Sequence, residues 1–224
     1  MVHTLNRLGF TYKKTTLVPG KANPDKQKDF IKKYQKLKNE KANDDKILFM
    51  DGTHPQHNSM PAYCWIEKGK KKEIPSNTGR KQINLNGAID VETLDVTIRE
   101  DDSINAQSTI KLFQELEAKY DKAPTIYIIS DNAMYYKSRL VKEYLVNSRI
   151  IIEHLPPYSP NLNLIERLWR FFHKQMLYNQ YYDTYDKFKK RCLSFFENIG
   201  KYKEELTTLL TEKFEIIGEN ISKT

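Results

Sequence analysis

Ile126-Tyr127-Ile128-Ile129-Ser130-Asp131-Asn132 is an unbroken apolar run, too short for a helix, that stops on a carboxylate. Apolar residues that do not alternate with polar ones predict a strand covered on both faces. Ile47-Leu48-Phe49-Met50-Asp51-Gly52 repeats the pattern, again ending on an aspartate. Two buried strands with carboxylates at their C-terminal ends place both acids where ligand sites of open α/β sheets collect. A single aspartate at a strand end, read alone, is better explained as a turn cap.

Outward from these runs the chain alternates. Gln82–Asp90 and Thr93–Arg99 read as two strands joined by a tight turn at Val91-Glu92. Ile110, Phe113, Leu116 and Tyr120 recur at helical steps within Ser103–Tyr120, and Leu140, Val141, Tyr144 and Leu145 do so within Met134–Val146. Arg149–His154 is a short isoleucine-rich strand. Pro156-Pro157-Tyr158-Ser159-Pro160 breaks the chain, after which Ser159 and Pro160 open a helix predicted to run to about Tyr178, with Glu166 near its start. Asn23-Pro24 opens an earlier helix bearing Phe30, Ile31, Tyr34 and Leu37 amid seven lysines. It is predicted to be a solvated amphipathic connector rather than a DNA contact. Residues 54–81 are irregular, with Trp65 expected to anchor them in the core. Residues 183–224 add amphipathic helix through Phe188, Cys192, Phe195, Phe196, Leu206, Leu209 and Leu210. The fold class is α/β: a mixed sheet with helices on its faces.

Asp51, Asp131 and Glu166 together carry the chemical reading. Three carboxylates in one place repel and raise one another's pKa values. Hard divalent cations favour oxygen ligands and relieve that repulsion. Two ions roughly 3.5–4 Å apart activate a water or 3′-hydroxyl without a side-chain nucleophile. No nucleophile elbow, phosphate-cradling glycine loop or zinc-spaced Cys/His set appears.

The string Leu155-Pro156-Pro157-Tyr158-Ser159-Pro160, continued by Leu162-Asn163, Ile165-Glu166 and Trp169, is long and unusual. With Asp51-Gly52-Thr53 and Ser130-Asp131-Asn132-Ala133 it resembles the DDE transposases of the mariner superfamily, in the bacterial insertion-sequence branch. The resemblance covers roughly residues 5–215, and thirty-four residues lie between Asp131 and Glu166, as in that family. It implies an RNase H-like catalytic domain with a five-stranded mixed sheet and extra C-terminal helices. Asp51, Asp131 and Glu166 become ligands of Mg²⁺ or Mn²⁺, expected as two ions. The implied reaction is cleavage at transposon ends and strand transfer into target DNA, with TA dinucleotide targets typical. Leu164 stands where the family has proline, Asn161 where aspartate is frequent, and Tyr136 where histidine is common. Relatives carry helix-turn-helix modules ahead of the catalytic domain. Here only Leu5–Pro19 resembles the end of that region, so a truncated chain lacking the end-recognition modules is expected. The implied division is 1–45 as remnant and basic linker helix, 46–178 as catalytic domain and 179–224 as helical extension.

Composition fits these expectations without demanding them. Of 224 residues, 37 are Lys or Arg and 29 Asp or Glu, giving a net charge of +8 and a pI near 9.2. That balance favours polyanion partners, double-stranded DNA here, although a lysine-rich proteome gives the same figure. Two unrelated cysteines, Cys64 and Cys192, imply neither a structural disulfide nor a metal knot. No run approaches the roughly 20 apolar residues of a membrane span, and no leader is visible, so the expected place is the cytoplasm, at the nucleoid. Lys70, Lys71, Lys72, Arg80 and Lys81 form a candidate phosphate-contact strip, and Arg170 and His173 share a helix face with Glu166. His54 and His57 read as ordinary loop histidines, and Tyr181, Tyr182 and Tyr185 as packing. The segment around Trp65 is alternatively a clamp between two copies, which makes a homodimer the expected assembly. Two rival functions stay open: an inactive or host-adopted DNA-binding remnant, which binds without nicking, and a stand-alone RNase H-like nuclease, which cuts without joining strands.

Overall fold

The computed structural model describes residues 2–12, 15, 17–77 and 81–219. Its centre is a five-stranded mixed sheet. Strands β1 (Lys46–Thr53), β2 (Asn84–Asp90), β3 (Val96–Asp101), β4 (Ile126–Ser130) and β5 (Ile150–His154) lie in the order β3-β2-β1-β4-β5. β1 pairs antiparallel with β2 and parallel with β4, and β4 runs parallel to β5. The two apolar runs are thus the adjacent central strands, buried on both faces as their lack of alternation requires.

Each face has its own cover. Leu48, Met50, Ala88, Ile126 and Ile128 pack under α3 (Ala106–Lys119) and α4 (Arg139–Leu145) through Leu112, Phe113, Leu116 and Val141. Ile47, Phe49, Ile89 and Ile129 meet α2 (Pro24–Glu40) and α5 (Ile165–Met176) through Phe30, Tyr34, Leu168 and Trp169. α6 (Tyr185–Glu197) and α7 (Lys203–Leu209) lie against α5. Phe188, Cys192 and Phe195 of α6 close a third cluster with Leu85, Phe172 and Met176. A short exposed helix, α1 (Val2–Arg7), precedes α2.

Several boundaries differ from the sequence reading, each for a local reason. β2 and β3 are joined by Val91–Asp95, not by a two-residue turn. The Asp90 carboxylate accepts from the amides of Glu92 and Thr93, and Leu94 turns the chain at φ +62°. The first helix after the hairpin starts later than Ser103, because Asn105 and Ser108 form a reciprocal capping box. The helix expected over 134–146 breaks at Ser138. A 3₁₀ turn (Met134–Lys137) ends there, and the Ser138 side chain caps α4. The long helix from Ser159 is likewise two pieces, a 3₁₀ turn at Pro160–Leu162 and then α5. Ser159 provides no side-chain cap, its hydroxyl instead donating to the Pro157 carbonyl. α2 begins as expected, with Asn23 capping Lys26 and Pro24 in its first turn. It is not a solvated connector, since Phe30 and Tyr34 are buried against the sheet. Trp65 is not in the core: it is 103% exposed, beside Tyr63 at 104%.

Candidate active site

β1 and β4 run parallel with Met50 opposite Ser130, so the next residues, Asp51 and Asp131, follow side by side at the C-terminal ends of the two central strands. Asp51 shares the strand face of Ile47 and Phe49, the face covered by α5, and Trp169 Nε1 of that helix donates to Asp51 Oδ2 at 3.2 Å. Gly87 is the β2 partner of Asp51. A Cβ there would lie 2.8 Å from the Trp169 ring and 2.5 Å from Ile98 Cδ1, so a side chain at this position would press on the indole that reaches the carboxylate. Asp131 is exposed and accepts the Ala133 amide at 3.0 Å. Its carbonyl faces His154 Nδ1 at 3.1 Å from the neighbouring strand end.

Glu166 enters from the second residue of α5. The preceding Asn163 breaks the helix and uses its side chain across the sheet end, Nδ2 donating to the Met50 carbonyl at 3.2 Å. That bond joins the start of the Glu166 helix to the residue before Asp51. Asn163 is 3% exposed, and its Oδ1 has no partner among the described residues. Asp131, Asn132, Pro157, Tyr158, Asn163 and Glu166 line one open cavity of about 480 Å³.

Electrostatics tie the three acids together. Burial, then the Glu166 charge, push the Asp51 carboxyl up to about 7. Asp131 adds to this, while the Gly52 amide and the Trp169 indole oppose it. Burial also raises Glu166, with Arg170 opposing and Asp131 reinforcing. Among the described residues no three His, Cys, Asp or Glu side chains already converge on one point at ligand distance. The three acids are neighbours that feel one another's charge, not a closed cage. As hard oxygen donors whose shared charge is unfavourable, they fit a divalent cation.

Other sequence candidates separate. Arg170 sits one turn beyond Glu166 and is exposed. His173 is half-buried against Phe172, and burial pulls its pKa below the usual histidine value. Lys70, Lys71 and Lys72 are exposed in the irregular segment, Lys70 paired with Glu67. Lys81 lies over the Tyr185 ring, and Arg80 falls outside the described residues. His57 is structural: it is buried, stacks on Phe188 and is hydrogen-bonded to the Tyr182 carbonyl. His54 bonds Asn84. Tyr182 and Tyr185 pack around Phe188, whereas Tyr181 is exposed. Sequence reasoning missed Asn163, whose signal was an asparagine just ahead of a helical acid, and Gly87, which carries no local signal.

Residues 46–189 match the family model described as DDE superfamily endonuclease. The chain belongs to this family. Residues 1–34 match a model described as winged helix-turn helix, a longer stretch than the Leu5–Pro19 tail read from the sequence. This DDE superfamily member is 28% identical over 139 residues to the insertion element IS630 uncharacterized 39 kDa protein of Shigella sonnei. The match covers 62% of this chain and 40% of that relative, so the chain spans less than half of its length. Its fold is that of the Mos1 transposase in a paired-end complex with the left transposon end (TM-score 0.65, 20% identity, 96% of this chain and 70% of that one). The catalytic domain of Mos1 mariner transposase matches as well (TM-score 0.53, 20% identity, 87% and 93%). The family match makes this chain a DDE superfamily member, and its fold is the five-stranded RNase H-like sheet that the resemblance implied.

Proposed function

We propose that this chain carries the catalytic domain of a cut-and-paste DNA transposase, with Asp51, Asp131 and Glu166 as the ligands of its metal. The observation that supports this reading is geometric: Asp51 and Asp131 follow neighbouring positions of the parallel strands β1 and β4, and Glu166 enters beside them from α5, close enough for its charge to raise the Asp51 carboxyl. Mg²⁺ or Mn²⁺, two ions by the usual logic of phosphodiester transfer, would activate the attacking hydroxyl and steady the leaving oxygen. Asp51 and Asp131 hold the strand-end side of that site and Glu166 closes it from α5. Trp169 keeps one Asp51 oxygen turned toward the helix, leaving the other for coordination. Arg170, beside Glu166, is placed to meet a phosphate of the bound strand. Structures of Mos1 paired-end complexes with Mn and with Mg support the choice of ion.

In this reading residues 46–178 perform the chemistry, 1–45 include part of a DNA-binding region, and 179–224 brace α5. Double-stranded DNA, transposon ends and target, is the partner, and the exposed Lys70–Lys72 strip supplies further phosphate contacts. Tyr63 and Trp65 stand free in the segment between β1 and β2, which supports a clamp onto a second copy and hence a homodimer. Among the described residues no helix is long and apolar enough to cross a membrane. A DNA substrate places the protein in the cytoplasm, at the nucleoid.

The decisive experiment is oligonucleotide cleavage and strand transfer in Mg²⁺ or Mn²⁺. Cleavage with joining is expected of the wild type, and Asp131→Asn should abolish both while melting normally. Normal cleavage by that variant would remove the mechanism. Cutting without joining would favour a nuclease, and binding alone would favour a regulator.

A further inference from the structure

Pro157-Tyr158 is laid out as a turn, and Tyr158 takes φ +58°. A residue after proline at positive φ is ordinarily glycine or asparagine, because a β-carbon clashes there. Something other than the backbone must therefore account for the aromatic ring. Core packing does not, since Tyr158 is 53% exposed. The ring instead lines the same cavity as Asp131 and Glu166. Lys21, from the segment ahead of α2, holds its ammonium 5.8 Å from the ring centre.

We infer that Tyr158 is a stacking platform for an unpaired nucleotide at the mouth of the carboxylate cavity, with Lys21 taking that nucleotide's phosphate. The inference rests on the transposase reading for the identity of the polymer. The local chemistry supports a base. A flat, uncharged π face tolerates two neighbouring carboxylates, whereas a phosphate beside them needs a counter-cation. Stacking on an exposed aromatic is how proteins hold unpaired bases without reading sequence. A cation above the same ring suits the phosphate attached to the stacked base. The cavity, about 480 Å³, has room for one nucleotide. The strand that reaches the acids would thus be separated from its complement there, its displaced base parked on Tyr158.

The test uses the full chain and two duplex probes, one blunt and one with a short single-stranded extension carrying 2-aminopurine, with EDTA present to prevent turnover. Wild type should bind the extended probe more tightly and change its 2-aminopurine emission. Tyr158→Ala and Tyr158→Gly should lose roughly fivefold to a hundredfold of that preference, while Tyr158→Phe retains it. Tyr158→Gly should melt no lower than wild type, since glycine accepts the positive φ, which separates loss of the ring from loss of the fold. Lys21→Ala should reduce the salt dependence of binding by about one ion. Equal affinity of wild type for both probes would overturn the inference, as would an undiminished preference in Tyr158→Gly. Strand cleavage by wild type in Mg²⁺ is scored separately. Its absence would count against the transposase reading and leave the stacking result standing.

Discussion

Asp51 shows how a site can be unfavourable by itself. Its carboxyl is raised to about 7 in the fold, against 3.8 for the unperturbed group, because burial and Glu166 both oppose ionisation. A carboxyl whose folded pKa lies above its unfolded value binds protons more tightly when folded. The metal-free protein should therefore lose stability as pH rises from about 4 to 7, with the whole penalty present above 7. Asp51→Asn removes the charge and keeps the shape. At pH 8 in EDTA it should be more stable than wild type by roughly 1–4 kcal/mol, an advantage that shrinks at pH 4. Urea unfolding at both pH values measures this, and a destabilised variant at pH 8 would refute the charge argument. Mg²⁺ added to the wild type should recover the same stability if these acids bind it. The placement of Asp51 and Asp131 was legible in the sequence because carboxylates at strand ends are visible without coordinates. The depth of Asp51 was not, since it depends on Trp169 crossing from another element.

At the scale of elements, the sequence revealed which segments exist better than how they end. Unbroken apolar runs marked β1 and β4, and asparagine-proline marked α2. Endings went astray at three places where a side chain claimed a backbone group: Asp90 at the hairpin, Ser138 before α4, Asn163 before α5. The last of these matters most, because the extended Asn163 lets α5 start at Ile165 and sets Glu166 against β1. Asn163→Leu keeps the volume but loses the donor to Met50 and the acceptor beside the cavity. It should cost about 1–3 kcal/mol in unfolding and depress cleavage more than DNA binding. A variant with equal loss in both would make Asn163 merely structural. Gly87 tests the same geometry from the sheet. Gly87→Ala sets a methyl against the Trp169 ring and Ile98, and should destabilise by about 1–3 kcal/mol. Because the displaced indole releases Asp51, it should also weaken metal-dependent cleavage. Intact activity with lowered stability would disconnect Trp169 from the chemistry.

Across the whole molecule, parts far apart in sequence meet at the back of α5. Gln27 of α2 is fully buried and pairs with both backbone groups of Ile217, accepting its N–H and donating to its carbonyl. Asn161, just ahead of the Glu166 helix, donates to the same Gln27 and to the Glu215 carbonyl. Arg167, next to Glu166, donates to the carbonyls of Leu209, Thr211 and Lys213. The C-terminal tail is thus a polar strap that binds α2 to the loop and helix presenting Glu166. In sequence this tail reads as part of the amphipathic helix over 183–224, and the strap is invisible there because its bonds run to tail carbonyls, which every residue type possesses. Gln27→Ala leaves the Ile217 groups and the Asn161 amide short of a partner, at a cost of about 1–3 kcal/mol. Ending the chain at Leu210 removes the bonds to Thr211, Lys213, Glu215 and Ile217, leaving Arg167 only the Leu209 carbonyl, and should cost more. Asp51 and Asp131 lie on β1 and β4, outside the strap, so the sheet should still fold when it is cut. The shortened chain should therefore keep its far-ultraviolet dichroism, melt lower, and lose cleavage through Glu166 while still binding DNA. If it cleaved as fast as the full chain, α5 would be held by its apolar face alone.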